Sequence, residues 1–255
     1  PHLFPLVDDN EVRLKGLRDM PHYQKGISRS NYYGVTGVID VLSSIKLEEA
    51  SDNNLIIKYL HRDPTFQEKL DNLESDRYEV IVDYKGMKRP ALGSPSWNHH
   101  HWQVQTYGWL RSLQTDSHPV LIGILFYLNE LSLFKEDLKE LKRDVKEHNT
   151  DIMPDGGDRE VILKWNPSNK VPSLSEPFRH LRSVRIIPID EVSQKKSLGE
   201  FDNVVADIEQ SILNEVDGQV IQSSWKANPD KRTCDACDYK TFCKSSVSKK
   251  KLTVP

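Results

Sequence analysis

Residues 79–86 read EVIVDYKG. Val80, Ile81 and Val82 are β-branched and read as a strand driven into a core. Asp83, Tyr84 and Lys85 follow without a break. Side chains along a strand repeat with period two, so Asp83 and Lys85 point to one face. A buried charge costs several kcal/mol unless it is paired or bound to a metal. Any fold that buries this strand must therefore compensate Asp83. Two ways are open. Lys85 could pair with a second acid at the sheet rim, a purely structural role. Alternatively, a hard divalent cation such as magnesium could take the carboxylate and nearby carbonyl oxygens, which calls for a second carboxylate on a neighbouring strand.

The chain offers that carboxylate. GVTGVIDVL, residues 34–42, sets Asp40 in an otherwise apolar strand, three residues after Gly37. A third element is HHHWQVQTYGWL, residues 99–110. Gln103 and Tyr107 are four apart and share one face of a helix. Other acid-x-Lys pairs exist, at 137–139, 140–142 and 144–146, but they lie in a charged helical stretch where i, i+2 residues do not share a face. Asp238-Tyr239-Lys240 lies between cysteines. PDGGDREVILK, residues 154–164, holds a literal Pro-Asp and a later Lys164, but Ile162 stands where the acid would be needed.

The 255 residues, 37% hydrophobic and 29% charged, fit one large domain or a core with an appendage. Residues 1–30 are punctuated by Pro and lack a period, so an irregular N-terminal segment is expected, with at most one short helix. Residues 32–42, 78–84, 120–128, 161–165 and 184–189 read as strands. Val120–Leu128 is nearly continuously apolar, as for a central strand buried on both faces. Helices are expected from Asp63-Pro64 onward (Phe66, Leu70 and Leu73 forming the stripe), from Ser96 to about Leu113, over 134–148 and over 201–216. Asp155-Gly156-Gly157 reads as a turn. Strands alternate with helices, which predicts an α/β class with a mixed central sheet. The expected organisation is a core over 31–190, with 45–76 as an insertion, and a C-terminal segment over 191–255.

Net charge is −3, so nucleic-acid binding would need a local patch. The Lys-rich tail (Lys244, Lys249, Lys250, Lys251) reads as a solvated end. No apolar run reaches the roughly 20 residues that span a bilayer, and no basic-then-apolar leader opens the chain, so no membrane or secretion is expected. The first residue is Pro1 rather than Met, which fits a domain of something longer. Three cysteines, Cys234, Cys237 and Cys243, fall within ten residues. An odd, clustered set points to a reducing, intracellular, cytoplasmic setting and to a metal or cluster rather than a disulfide framework.

Gly37-x-x-Asp40, Asp83-x-Lys85 and Gln103-x-x-x-Tyr107, in this order, resemble the PD-(D/E)XK nuclease superfamily in its RecB-like branch. Cys234-x2-Cys237-x5-Cys243 is similar to the closing cysteines of that branch's iron–sulfur nucleases, of AddB and CRISPR-adaptation type. The resemblance covers roughly residues 30–130 and 230–245. It implies a restriction-endonuclease-like core with a small C-terminal Cys-cluster segment, and a metal-dependent DNA nuclease, most often an exonuclease on single-stranded or end-containing DNA. Asp40, Asp83 and the backbone carbonyl of Tyr84 would hold Mg2+ or Mn2+, with Lys85, Gln103 and Tyr107 completing the catalytic set. Such modules serve DNA repair, recombination, CRISPR adaptation and antiviral defence, with a helicase or another protein as partner.

Two departures stand out. The family's iron–sulfur sites use four cysteines, the first upstream of the core, and this chain has none there. A [4Fe-4S] cluster, zinc with one His, and a plain loop therefore all stay open for the three cysteines. The stretch from Asp40 to Asp83 is also longer than usual. Many relatives use a His upstream of the first Asp; His22 and His2 are the available positions, with His22 the candidate further metal ligand. His99, His100 and His101 read as a polar rim, and Trp97, Trp102 and Trp109 as core before base-stacking platforms. A rival reading keeps the fold without the chemistry, as a partner-activated or inactive nucleic-acid-binding scaffold. Hydrolases of other types find no Gly-x-Ser-x-Gly, P-loop or His-Glu-x-x-His to rest on.

Overall fold

The computed structural model describes residues 6–22, 27–46, 54–62, 75–225, 227, 229–238, 240, 241 and 243–248. The helix expected from Asp63-Pro64, His2 and Lys249–Lys251 lie outside the described residues. Two compact units form, one from residues 1–19 and 30–201, the other from residues 20–29 and 202–255.

The first unit is built on a five-stranded sheet in chain order. The strands are β1 (Leu6–Asp19), β2 (Tyr32–Lys46), β3 (Arg77–Lys85), β4 (Val120–Tyr127) and β5 (Val184–Pro188). β3 and β4 run parallel and the other neighbours antiparallel, so the sheet is mixed. Its helices are α1 (Leu55–Arg62), α2 (Pro95–Ser112), α3 (Lys135–Lys146), α4 (Gly156–Lys164), α5 (Glu176–Ser183) and the start of α6 (Glu191–Val216). The sequence expectation of an α/β, restriction-endonuclease-like core holds. Among the described residues no helix is long and apolar enough to cross a membrane.

Three local expectations are corrected. Residues 6–19, expected to be irregular, form β1 and pair along β2 from Leu6–Ser44 to Asp19–Tyr32. The stripe Leu14 against Val35 and Ile39 gives that hairpin a buried face. Of residues 161–165, expected to be a strand, 161–164 belong to α4 and Trp165 is its C-cap, and Asp155 to Gly157 open that helix instead of turning. Ile162 and Trp165, three apart, are the residues buried, among Leu138, Leu141 and Phe178. A helical period had been hidden in a short apolar run. Finally, α2 starts at Pro95 with Ser94 as N-cap, two residues before the expected Ser96.

Alternation divides β3 cleanly. Tyr78, Val80 and Val82 pack on one side with Ile57 of α1 and with Ile122 and Ile124 of β4. Glu79, Ile81, Asp83 and Lys85 face the other side, where Ile81 meets Leu110 of α2. Helix α2 lies close to the sheet because β4 offers Gly123: a Cβ there would sit 1.9 Å from Val104 Cγ1. Gln105 donates from Nε2 to the carbonyl of Pro188 at 2.6 Å, fixing α2 to the end of β5. Two buried arginine–carboxylate pairs complete the frame, Arg111 with Glu79 and Arg182 with Glu130, both bidentate.

The second unit holds the rest of α6, α7 (Ile221–Ser224) and α8 (Lys231–Ala236). α6 begins ten residues before the expected start at Phe201.

Candidate active site

β3 delivers Asp83 and Lys85 at its C-terminal end, where β2 and α2 meet it. Asp83 is 3% exposed. Lys85 Nζ lies 2.5 Å from Asp83 Oδ2 and donates to Gln103 Oε1 at 2.6 Å. Gln103 Nε2 in turn donates to the hydroxyl oxygen of Tyr107 at 2.7 Å. One helical turn thus carries a chain of contacts from the carboxylate to the phenol. The Asp83–Lys85 contact is an ion pair without hydrogen-bond geometry, and Asp83 Oδ2 is buried with no hydrogen-bond partner among the described residues.

The β2–β3 ladder reaches Val41–Val82, which sets Asp40 opposite Asp83. Beyond that last pair, the backbone N–H of Tyr84 donates to Asp40 Oδ2 at 2.7 Å. In extended backbone the N–H and C=O of a residue point the same way, so the Tyr84 carbonyl also faces Asp40. Asp40 owes its direction to an irregularity. Ile39 packs on the α2 side of the sheet, whereas Val41 packs on the opposite side, so strict alternation breaks at Asp40. Across in β1, Glu11 takes φ 50°. The register runs on from Asn10–Val41 to Val12–Ile39, so the change is a local turn of the backbone and not an inserted residue.

Gly37 has a packing role. A Cβ there would lie 2.7 Å from Tyr107 Cε1 and 3.2 Å from Leu110 Cδ1. The ring of Tyr107 therefore rests on bare backbone of β2, and the spacing from Gly37 to Asp40 ties the helix to the acid.

The electrostatics follow from burial. Desolvation pushes the Asp83 carboxyl above the usual carboxylate range; Lys85 opposes this, and the like charge of Asp40 adds to it. Burial also raises the Tyr107 hydroxyl, against its bond to Gln103, with Asp83 and Asp40 adding to the rise. Two carboxylates, one with a buried oxygen that meets only the Lys85 ammonium, and an adjacent carbonyl make a set of hard oxygen donors. Such a set fits magnesium or manganese, which keep several waters and need few protein ligands.

The sequence-derived residues Asp40, Asp83, Tyr84, Lys85, Gln103 and Tyr107 are thus brought together. His22 belongs to the second unit, at φ 54°, and its assignment as a ligand stays with the sequence argument. The cysteines also lie in that unit. Cys234 is buried in α8, Cys237 is its C-cap and Cys243 is exposed, all as free thiols. Among the described residues no three His, Cys, Asp or Glu side chains form a group able to hold a metal. As placed, the three thiols do not fit a cluster.

His99 is exposed and His101 half-buried, as a polar rim would be, but His100 corrects that expectation. His100 is 9% exposed and contacts the Tyr127 hydroxyl oxygen at 3.1 Å. Burial, then Lys85, Arg185 and His99, push it down to about 4, so it is neutral at neutral pH. The tryptophans serve packing: Trp102 stacks on Phe201 and donates to the Ser197 carbonyl, and Trp97 donates to the Ala91 carbonyl. Missed altogether was Glu79, which shares the face of Asp83 and Lys85 and could have been found by its parity.

The family model of the PD-(D/E)XK nuclease superfamily matches residues 68–244, more than two thirds of the chain. The match includes Asp83, Lys85, Gln103, Tyr107 and the cysteines; Asp40 lies before it and rests on geometry. No curated protein and no solved structure matches. With a mixed sheet that ends β3 in a paired carboxylate and lysine, and with that match, the chain belongs to the PD-(D/E)XK nuclease superfamily.

Proposed function

We propose that the chain is a metal-dependent deoxyribonuclease that hydrolyses phosphodiester bonds in single-stranded or end-containing DNA, with the motif order of the RecB-like branch. The observation that carries this reading is Lys85 Nζ held between Asp83 Oδ2 and Gln103 Oε1, at 2.5 and 2.6 Å. Mg2+ or Mn2+, held by Asp40, Asp83 and the Tyr84 carbonyl, would lower the pKa of a bound water and offset charge on the phosphate. Asp83 keeps Lys85 at the edge of the two carboxylates, where the amine orients the attacking water and meets the developing charge. Gln103 stops Lys85 from swinging away, and Tyr107 holds Gln103 in the rotamer that does so. Exonucleolytic action on free ends, loading by a helicase or other protein partner, and service in DNA repair, recombination or defence inside the cell extend the same proposal. The cysteine spacing supports a structural iron–sulfur or zinc site at Cys234, Cys237 and Cys243, whereas their placement does not; iron and zinc content of anaerobically purified protein decides between them.

The test is cleavage of end-labelled single- and double-stranded DNA with Mg2+, Mn2+ or EDTA, wild type beside Lys85→Ala. Cleavage that needs the metal and is lost in the variant is expected. A wild type that binds DNA without cutting it would favour a partner-activated or inactive scaffold instead.

A further inference from the structure

Arg185 is a cation that the catalytic set does not use. It stands on β5 opposite Leu125 of β4, which in turn pairs with Asp83 of β3. Paired residues share a face, so Arg185 points to the same side as Asp83, two strand spacings away, about 10 Å. Its guanidinium carbon lies 4.0 Å from the centre of the Trp97 ring at the start of α2. Its Nη1 is shielded from solvent and has no hydrogen-bond partner among the described residues. A second guanidinium, that of Arg89, shares the same indole at 5.4 Å. Arg89 is fully committed, to Asp151 and to the carbonyls of Arg182 and Val184. Asp151 is therefore occupied, and Arg185 is left with a hydrogen bond to the Tyr127 hydroxyl and no carboxylate at ion-pair distance among the described residues.

The surroundings keep it so. Tyr127, beside Arg185, is pushed up to about 12 chiefly by burial and stays a neutral phenol. His100 and His101 both feel the Arg185 charge and are held below the usual histidine range, so both stay neutral rings that add no charge of either sign. Desolvation and Arg89 both disfavour the Arg185 cation, against Tyr127 and Asp151. A half-buried cation with an unmet donor is costly unless an anion completes it.

We propose that Arg185, held over the Trp97 ring, binds a backbone phosphate of the nucleic-acid strand adjacent to the one cut at Asp40 and Asp83. The inference rests on the nuclease reading. The planar fork matches phosphate oxygens, and the contact with the indole holds the guanidinium in place before the substrate arrives. His101, which feels Arg185, Asp190 and Lys196, lines a cleft of about 690 Å³ together with His99, Trp102, Lys196 and Glu200. The strand would leave the catalytic carboxylates past Arg185 into this cleft.

The experiment measures binding of a fluorescent single-stranded oligonucleotide in EDTA over a salt series, for wild type, Arg185→Met and Arg185→Lys, with wild-type cleavage in Mg2+ run in parallel. Arg185→Met should weaken binding about tenfold, as for one lost charge-assisted contact. It should also lower the slope of log K against log salt by about 0.7, one phosphate's worth on a single strand. Arg185→Lys should keep the slope and lose part of the affinity. A scan with one neutral methylphosphonate per oligonucleotide should find one linkage that matters to wild type and not to Arg185→Met. If Arg185→Met does not fold, Arg185→Gln is scanned in its place, and that linkage should lose most of its effect there. A wild type that cleaves DNA while the variants keep its affinity, slope and linkage profile overturns the Arg185 assignment and leaves the nuclease standing. A wild type that neither binds nor cleaves DNA overturns both.

Discussion

Replacing Lys85 by Met separates charge compensation from catalysis. Asp83 and Lys85 side chains are 4% and 14% exposed, and their ion pair is the compensation the protein offers the carboxylate beside Asp40. Removing one partner of a buried pair costs about 3–5 kcal/mol. The carboxylate has a way out, which is to take up a proton. For a carboxyl of ordinary pKa this costs about 4 kcal/mol at pH 7 but only about 1.5 kcal/mol at pH 5, at about 1.4 kcal/mol per pH unit. The loss in Lys85→Met is therefore capped near 4 kcal/mol at pH 7, roughly 10 °C in melting temperature, and shrinks to about 1.5 kcal/mol at pH 5. The sign follows from linkage. The folded Asp83 carboxyl is already raised, so the folded state binds more protons than the unfolded chain, and stability falls as pH rises above the ordinary carboxylate value. Removing Lys85 steepens that fall. Thermal melts at pH 5 and pH 7 in EDTA, repeated with Mg2+, read it directly. The divalent ion should recover most of the loss at pH 7 while DNA cleavage stays absent. Equal losses at both pH values, or a melt indifferent to Mg2+, would refute the charge argument; retained cleavage would refute the catalytic one.

Gly37→Ala places a methyl 2.7 Å from the Tyr107 ring, so it should cut the cleavage rate about a hundredfold, while melting shifts by only a few degrees. A loss of activity no larger than the loss of stability would count against it. Tyr107→Phe removes only the hydrogen bond from Gln103 and should slow single-turnover cleavage about three- to tenfold, as for one hydrogen bond. No change would place the phenol outside the working chain. His100, held down to about 4, is neutral in the folded protein while the unfolded chain protonates below about 6.5. Wild type should therefore lose up to about 3 kcal/mol as pH falls from 6.5 to 4, and His100→Gln should lose less over that window. Parallel melting curves for the two would contradict it.

The sheet was legible where period and composition agree. Val120–Tyr127 is apolar enough to be a central strand, and β3 announces itself through Val80 to Val82. The site residues were legible because each stands out against its own element: Asp40 and Asp83 in apolar strands, Gln103 and Tyr107 on one helical face. β1 was not, because its pairing with β2 is long-range and its own residues (Asp8, Asp9, Glu11, Arg13, Lys15) are largely polar. Residues 161–165 misled because five apolar-rich residues suit either period, and packing against Leu138 and Phe178 settles it. His100 was taken for rim because a His-His-His run shows no preference until the helix is turned against the sheet. The slip of alternation at Asp40 has no local signal, since Glu11 in β1 is what accompanies it.

The α2-facing side of β3 explains why catalytic and structural charges belong together. Glu79, Ile81, Asp83 and Lys85 face α2, and Arg111, Leu110 and Gln103 answer the first, second and fourth. From Glu79 to Lys85 the strand covers about 20 Å, whereas Arg111 to Gln103 on the helix covers about 12 Å. The difference is spanned by the length of the arginine, lysine and glutamine side chains. A shorter residue at any of these places leaves a buried charge without its partner. Arg111 and Glu79 lock one end of the helix to the strand, and Val104 against Gly123 prevents sliding in between. Gln103 then has one place to be, over Lys85. Asp83 alone on this face is answered by no residue of α2; its buried Oδ2 meets only the Lys85 ammonium of its own strand. A face that pins the helix at Glu79 and leaves Asp83 with Lys85 alone is what a divalent ion and a phosphate would need to find.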